Sequence, residues 1–279
     1  MQFETKKHPV GIESVRDFAL GIVATSTAKI SPVDLERRLF AKYRLSKIQI
    51  KSLIRNLVAD GELAYTYEFG GTYLERSFDR PVRISKHIVM VPPARHYSAN
   101  PDEVVVKIKP GASFGAGHHP TTRLAIKGID FALPGNQAGP KLPIANVLDI
   151  GTGSGVLLIT AILCGMQKGL GIDIDACARF EAAENVRINA LTDRAAISGR
   201  PVESIRQRYA VIIANLRFPS LKQMLVQIDE RASANGFLIL SGIRDSEVDE
   251  LLKVYQKIRF EEIWSETELG WSGLVLRRV

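Results

Sequence analysis

The chain of 279 residues has only two cysteines and no hydrophobic run long enough to cross a membrane. No apolar stretch reaches the ~18 residues that a transmembrane helix needs. The first ten residues have no apolar centre of the kind that marks a signal peptide. Two thiols, Cys164 and Cys177, are too few for a disulfide framework and are interpreted as structural. These absences predict a cytoplasmic protein that does not associate with membranes.

The sequence also has no internal repeat, no low-complexity tract and no recognisable metal-ligand spacing. His118 and His119 are adjacent, but no further His, Cys or acidic residue follows at the spacing of a metal site. We therefore interpret both histidines as loop residues and predict that the protein holds no metal.

Positive charge is concentrated in the first part of the chain. The formal net charge is +7, and residues 1–100 carry 16 Lys and Arg against 10 Asp and Glu. The remainder of the chain is therefore almost neutral. Such asymmetry is typical of a segment that meets an acidic partner, often a nucleic acid, although solubility alone also explains a basic surface.

The basic segment has the pattern of three helices followed by a hairpin. Ser14, Ser31 and Ser46 each precede an apolar helical pattern as a cap, and Pro32 suits the first position of the second helix. Asp60-Gly61 ends the third helix. Two aromatic-rich strands, Leu63–Phe69 and Thr72–Phe78, surround a predicted two-residue turn at Gly70-Gly71. Three helices and a hairpin resemble a winged helix-turn-helix domain, predicted here for residues 1–80.

Three cationic residues, Lys47, Lys51 and Arg55, recur every four positions on the third predicted helix. They form a single stripe on one face. The stripe suits contact with nucleic-acid phosphates, docking of a protein partner, or an ordinary solvated surface. The pattern alone leaves these three alternatives open.

Residues 81–279 form the second predicted domain, in which residues 81–110 supply a connector and leading strands. The connector contains a predicted strand from Arg83 to Val91, and a second strand is predicted for Asp102–Lys109. A Pro- and Gly-rich loop is predicted for Leu133–Pro143. From Val147 onward, strands and helices alternate, which predicts a parallel sheet covered by helices on both faces.

Three polar residues, Asp149, Asp173 and Asn215, fall at the carboxyl ends of predicted strands, where ligands bind in such sheets. The first acid belongs to V-L-D-I-G-T-G-S-G, and the second to G-I-D-I-D. The glycines allow the backbone to approach a ligand closely. A carboxylate before the glycines would repel the pyrophosphate of a dinucleotide but suits a cationic ligand such as S-adenosylmethionine. Asp173, about 20 residues after the glycines, suits the two ribose hydroxyls.

A loop pattern precedes these strands and makes a family resemblance specific. Residues 108–122 read I-K-P-G-A-S-F-G-A-G-H-H-P-T-T and are interpreted as a loop that folds over a ligand. Together with V-L-D-I-G-T-G-S-G, G-I-D-I-D and I-I-A-N-L, in this order, they resemble the ribosomal protein L11 methyltransferase (PrmA) family. The resemblance covers the chain from about Arg80 to its end.

The resemblance implies a seven-stranded, Rossmann-like class I methyltransferase domain that uses S-adenosylmethionine. It also implies an N-methyltransferase that acts on a protein lysine or α-amine, with a ribosomal protein as the expected substrate. Asn215 is the implied catalytic residue, beside the reactive methyl group, where its carbonyl orients the acceptor amine. The implied cofactor-binding residues are Phe114, Gly115, Thr121, Asp149, Gly151, Gly153, Asp173, Ile174 and Asn215.

The sequence departs from the family at three places. The acid that usually precedes the strand ending in the asparagine is replaced by Ala210, and the segment from Leu216 to Pro219 has its own character. Residues 1–80 do not resemble the small α/β module with which the family recruits its substrate. Two alternatives therefore remain: an RNA or DNA base methyltransferase docked by the winged helix, and a nucleic-acid-binding regulator that only senses the cofactor.

Overall fold

The computed structural model describes residues 12–26, 28–68, 70–109, 111, 119–133 and 146–279. Two compact units divide between Arg80 and Pro81, and each unit has its own hydrophobic core.

The N-terminal unit begins with three helices: α1 (Ile12–Thr25), α2 (Pro32–Tyr43) and α3 (Lys47–Ala59). Ser31 and Ser46 cap α2 and α3 as predicted, and each forms a capping box with the residue three positions later. The predicted cap at Ser14 is wrong, because α1 begins at Ile12 and Ser14 lies inside its first turn. Ile50, Ile54 and Leu57 point from α3 into the core of this unit.

An antiparallel hairpin completes the N-terminal unit: β1 (Leu63–Glu68) and β2 (Gly71–Arg76). Glu68 pairs with Gly71, so Gly71 belongs to the strand and the predicted Gly70-Gly71 turn was placed one residue too late. Gly70 has a φ of +76°, which glycine adopts without strain. Leu74 of β2 is buried against the helices and also pairs with Ile30. The resemblance of this unit to a winged helix stays a prediction.

The second unit opens with a small sheet of β3 (Val82–Arg83), β4 (Ile88–Val91) and β5 (Val104–Lys107). The single strand predicted for Arg83–Val91 is wrong, because Val82 and Arg83 turn back and pair antiparallel with β4. β4 and β5 are parallel, and all four residues of β4 are buried.

Helix α4 (Pro120–Ala132) corrects the prediction that the loop extends through Thr122. Thr121 and Thr122 belong to its first turn, where Pro120 occupies the opening position and the His119 side chain accepts a hydrogen bond as cap. Because glycines and histidines precede Pro120, the sequence pattern favours a loop where the helix begins. Of the loop predicted for Leu133–Pro143, only Leu133 lies among the described residues.

The main sheet of the described residues has seven strands in the order β11-β12-β10-β9-β6-β7-β8. Its strands are β6 (Asn146–Ile150), β7 (Lys168–Ile172), β8 (Ala195–Ser198), β9 (Tyr209–Asn215), β10 (Ala232–Arg244), β11 (Phe260–Glu268) and β12 (Trp271–Arg278). The connecting helices are α5 (Val156–Leu163), α6 (Ala176–Ile188), α7 (Phe218–Gln223), α8 (Leu225–Arg231) and α9 (Val248–Gln256).

The sheet is mixed, which corrects the prediction of a parallel sheet. Strands β8, β7, β6, β9 and β10 are parallel, whereas β12 runs antiparallel between β10 and β11. The parallel strands end at one edge, and this edge carries Asp149, Asp173 and Asn215. Strand β8 is not apparent in the sequence pattern, and the helical region between β9 and β10 consists of two short helices that meet at Met224.

Among the residues that the structure describes, no helix combines the length and the apolar character that crossing a membrane requires.

Candidate active site

Asp149 lies near the end of β6 and is completely buried. Its Oδ2 accepts hydrogen bonds from Thr152 Oγ1 at 2.7 Å and from the backbone N–H of Leu158, in α5, at 3.2 Å. Its Oδ1 is also buried and has no hydrogen-bond partner in the described part of the chain. Burial raises the pKa of this carboxyl to about 7, and the nearby Asp173 charge adds to the increase.

The glycine-rich turn after β6 is held close to two neighbouring strands. Gly151 donates its backbone N–H to the Ile172 carbonyl of β7 at 2.9 Å and has a φ of +72°. A Cβ at Gly151 would lie 2.7 Å from Cδ2 of Leu216, the residue that follows β9. The positive φ favours glycine here, and the Leu216 side chain would have to move to make room for a Cβ.

Asp173 follows β7, and its side chain accepts a hydrogen bond from the glycine-rich turn. Its Oδ2 accepts from the Gly153 backbone N–H at 2.9 Å, and its Oδ1 accepts from the Asp175 backbone N–H at 2.9 Å. The side chain remains partly exposed, which leaves lone pairs open toward solvent. Ile174 follows it with 95% of its surface exposed. An aliphatic side chain so exposed offers an apolar contact beside the carboxylate.

Asn215 is the last residue of β9 and pairs with Ser241 of β10. Its Oδ1 is buried and, among the described residues, has no hydrogen-bond partner. The next residue, Leu216, donates its backbone N–H to the Ser241 carbonyl at 3.0 Å and so fixes the chain as it leaves the strand. The parallel pairing of β6, β7 and β9 thus places Asn215 on the edge that carries Asp149 and Asp173.

Thr121 is buried in the first turn of α4, and its Oγ1 lies 2.8 Å from His119 Nδ1. The His119 ring lies edge-on to Trp271, with 5.1 Å between the ring centroids. Burial, followed by the positive charges of Arg123, Arg244 and Arg217, lowers the pKa of His119 to about 4. His119 is therefore neutral near pH 7.

Three predicted residues of the glycine-rich segment, Phe114, Gly115 and His118, lie outside the described residues. Within the described ranges, no group of three His, Cys, Asp or Glu side chains is arranged to hold a metal ion.

Sequence reasoning missed three residues beside this edge: Arg217, Arg244 and Trp271. Trp271 opens β12 and pairs with Arg244, the last residue of β10. The guanidinium carbons of Arg244 and Arg217 lie 3.7 Å and 5.0 Å from the centre of its ring. These three residues are far apart in the sequence. They could not be grouped because the antiparallel pairing of β12 with β10 was not predicted.

The cationic stripe belongs to the N-terminal unit. Lys47, Lys51 and Arg55 are all exposed on α3, whereas Ile50 and Ile54 of the same helix are buried. Two exposed tyrosines, Tyr65 and Tyr67, lie on β1 of the same unit.

Comparison with known proteins matches residues 75–279 to the family "Ribosomal protein L11 methyltransferase (PrmA)". The chain is 33% identical over 205 residues to the ribosomal protein L11 methyltransferase of Geotalea daltonii, covering 72% of this chain and 65% of that protein. For the protein of the same name from Paraburkholderia phytofirmans, the identity is 34%, over 72% of this chain and 62% of that one. The chain therefore spans about two thirds or less of the length of these relatives.

A crystal structure of a ribosomal protein L11 methylase from Lactobacillus delbrueckii subsp. bulgaricus matches with a TM-score of 0.63 and 27% identity. The match covers 72% of this chain and 100% of that chain. Because the family match begins at residue 75, it leaves nearly all of the N-terminal unit outside.

Proposed function

Because this chain belongs to the ribosomal protein L11 methyltransferase (PrmA) family, we propose that it transfers a methyl group from S-adenosylmethionine to an amine of a protein. The names of its relatives point to a ribosomal protein as the substrate. We place the reaction in the cytoplasm, where such a substrate is assembled. The family match covers the second unit, so the proposed chemistry belongs to residues 81–279.

One observation carries the proposal: the side-chain carbonyl oxygen of Asn215, at the strand edge that also holds Asp149 and Asp173, has no hydrogen-bond partner among the described residues. A buried polar atom without a hydrogen bond costs about 1–3 kcal/mol. Such an atom needs an explanation, and at this strand edge a ligand that supplies the missing bond provides one.

The same edge suits S-adenosylmethionine. The unpartnered Asp149 Oδ1 fits a cationic ammonium group, and the partly exposed Asp173 fits ribose hydroxyls. The turn at Gly151 and Gly153 has positive φ angles and presents backbone rather than side chains, and Ile174 offers an apolar face to a base. Thr121 remains a proposed contact for the methionine end. When bound, S-adenosylmethionine supplies an electrophilic methyl carbon.

Asn215 positions the acceptor. Its carbonyl accepts an N–H bond from the uncharged amine, which directs the nitrogen lone pair toward the methyl donor. Methyl transfer to nitrogen requires alignment of the reacting atoms and an amine that has already lost its proton. The neutral His119 places no proton on the site near pH 7.

We further propose that the N-terminal unit recruits the substrate through the exposed stripe of Lys47, Lys51 and Arg55. Cationic residues on one helix face, together with exposed tyrosines on the hairpin of the same unit, suit a ribonucleoprotein surface that carries phosphates. Contact with phosphates makes association fall steeply as salt rises. The unit would then bind RNA while the second unit reaches a protein amine on the same particle.

The proposal is tested by incubating methyl-labelled S-adenosylmethionine with lysate from cells that lack the enzyme, then digesting with protease or nuclease separately. We expect the label in protease-sensitive material of the ribosomal fraction, and Asn215→Ala serves as the inactive control. Label lost to nuclease but resistant to protease would replace this reading with nucleic-acid methylation. Cofactor binding without any transfer of label would indicate a regulator that only senses the cofactor.

A further inference from the structure

Two arginines converge on one indole ring, and one of them follows Asn215 by two residues. This one is Arg217, and Arg244 ends the neighbouring strand β10. Their guanidinium carbons lie 5.0 Å and 3.7 Å from the centre of the Trp271 ring. Contact with an aromatic face holds a guanidinium in place while the N–H groups at its edge remain available.

Both guanidinium groups lack a carboxylate partner within 4 Å in the described part of the chain, whereas the nearby acids are engaged elsewhere. Asp245 accepts from the Thr267 and Ser272 hydroxyls at 3.3 Å, and Glu247 accepts the backbone N–H of Arg244 at 2.7 Å. Glu268 pairs with Arg123. The guanidinium groups of Arg217 and Arg244 are therefore not bound directly by any carboxylate of the described residues.

His119 responds to this positive field. Its ring contacts Trp271, and the charges of Arg123, Arg244 and Arg217 add to burial in lowering its pKa to about 4. These positive charges disfavour a protonated His119, and for the same reason they would stabilise an anionic group bound beside Trp271.

We propose that Arg217 and Arg244 bind a carboxylate of the protein substrate next to the acceptor amine, so that the enzyme selects amines with an acidic neighbour. The proposal rests on the protein-amine methylation proposed above. A planar guanidinium matches a carboxylate in a two-point hydrogen bond, which adds direction as well as charge. Arg217 and Arg244 thus act as specificity-determining residues.

The surroundings favour a carboxylate on a peptide over a nucleic-acid strand. Exposed acids follow Arg244 closely at Asp245 and Asp249. A strand with a phosphate at every nucleotide would meet these like charges, whereas one carboxylate reaches the two arginines alone. The local charge therefore fits a single anionic group rather than a polyanion.

The test uses the full-length protein and two fluorescein-labelled pentapeptides, one with lysine followed by two glutamates and one with glutamines in their place. Fluorescence anisotropy is measured with and without S-adenosylhomocysteine. We expect the glutamate peptide to bind about tenfold more tightly than the glutamine peptide, because it alone forms charge-assisted bonds. The double variant Arg217→Gln, Arg244→Gln should bind both peptides equally. The control Arg206→Gln, an exposed arginine outside this edge, should keep the preference.

Equal affinity of the wild type for both peptides, no binding of the glutamate peptide at millimolar concentration, or a preference that survives the double variant would overturn the proposal. Displacement of the peptide by a ten-nucleotide thymidine strand at lower concentration than by free glutamate would assign the arginines to nucleic acid instead. Calorimetry with S-adenosylhomocysteine checks that the variants are folded. A wild type that fails to bind this analogue contradicts the proposed methyl transfer and leaves the peptide comparison as a separate result.

Discussion

At the scale of single residues, two buried oxygens at the strand edge bear on the proposed ligand. Asp149 Oδ1 and Asn215 Oδ1 are both enclosed and both without a hydrogen bond among the described residues. A protein that only needed stability would fill such positions with apolar side chains or provide donors. The two atoms therefore indicate where a ligand is expected and which of its groups are positively charged or donate hydrogen bonds.

Asp149 should make cofactor affinity depend on pH. Its pKa of about 7 in the free protein must fall when an ammonium group pairs with the carboxylate. Below pH 7, binding must therefore expel a proton, and affinity for S-adenosylhomocysteine should weaken by up to about tenfold per pH unit between pH 7 and 5.5. Calorimetry in buffers of different ionisation enthalpy measures both the affinity and the proton release. The isosteric variant Asp149→Asn should bind weakly and without this pH dependence.

The same carboxyl should affect stability with the opposite trend. Because its pKa is raised from 3.8 to about 7, the folded protein binds more protons than the unfolded chain between these values. This contribution to the free energy of unfolding is fully present below pH 4 and is lost as the pH rises toward 7. Urea unfolding of the wild type and Asp149→Asn should diverge across this window. Parallel pH curves for the two proteins would contradict the raised pKa.

Asn215→Ala should lower turnover by roughly 100-fold or more while changing the affinity for S-adenosylhomocysteine by less than about threefold. The expected asymmetry arises because the carbonyl orients the acceptor amine, a contact that matters mainly in the transition state. Steady-state methylation and calorimetry together measure it. Asn56→Ala, on the exposed side of α3, is the control and should change neither quantity. Normal turnover by the Asn215 variant would move the positioning role to another residue.

At the scale of elements, the backbone of β10 lies very close to the backbone that follows β9. β10 has an irregular register between Leu240 and Ile243, and Gly242 lies in this interval with a φ of +86°. A Cβ there would lie 2.4 Å from the Leu216 carbonyl oxygen, directly after Asn215. The irregularity thus brings the end of β10 against the chain that leaves β9.

Gly242→Ala should therefore destabilise the protein more than Gly270→Ala. Both glycines have a positive φ, for which an alanine costs roughly 1–2 kcal/mol. Gly270 has no atom within 4 Å of the added methyl group, whereas Gly242 meets backbone. Chemical denaturation measures the difference, and only the Gly242 variant should also lose activity. Equal losses of stability would show that the backbone near Leu216 moves to accommodate the methyl group without lowering the free energy of unfolding.

The elements also show what could be predicted from the sequence. The caps at Ser31 and Ser46 and the strands leading to Asp149, Asp173 and Asn215 follow from local patterns, and the structure agrees with them. Helix α4 was missed because the residues around its start are Gly, His and Thr, which occur more often in loops than in helices. The antiparallel pairing of β12 with β10 joins distant segments of the chain. Local sequence patterns therefore predicted neither this pairing nor the contact of Trp271 with Arg217 and Arg244.

At the scale of the whole molecule, we propose that chemistry and recruitment belong to separate units. The chain divides between Arg80 and Pro81, and each unit has its own core. The family match covers only the second unit and a few residues before it. The N-terminal unit is therefore the part in which substrate choice is free to differ from that of the relatives.

Deletion of residues 1–80 should leave the affinity for S-adenosylhomocysteine within about twofold of the wild type, because Asp149, Asp173 and Asn215 all lie in the second unit. The Michaelis constant for the ribosomal substrate should rise and lose most of its dependence on salt. Circular dichroism establishes that the truncated protein is folded. The full-length triple variant with glutamine at 47, 51 and 55 should reproduce the salt effect without the truncation. Loss of cofactor binding in a folded truncation would contradict the division of roles.

The position of β11 at the border of the main sheet bears on how copies of the protein meet one another. β11 pairs with β12 along one side only, and its nine residues include four glutamates: Glu261, Glu262, Glu266 and Glu268. A strand at the border of a sheet is a template on which a second chain can add. Glu266 and Glu268 are paired with Lys127 and Arg123, which leaves Glu261 and Glu262 as the acids without an ion pair in the described part of the chain. Two copies that met along β11 would bring these two glutamates together, and their mutual repulsion opposes such fibre-like growth at neutral pH.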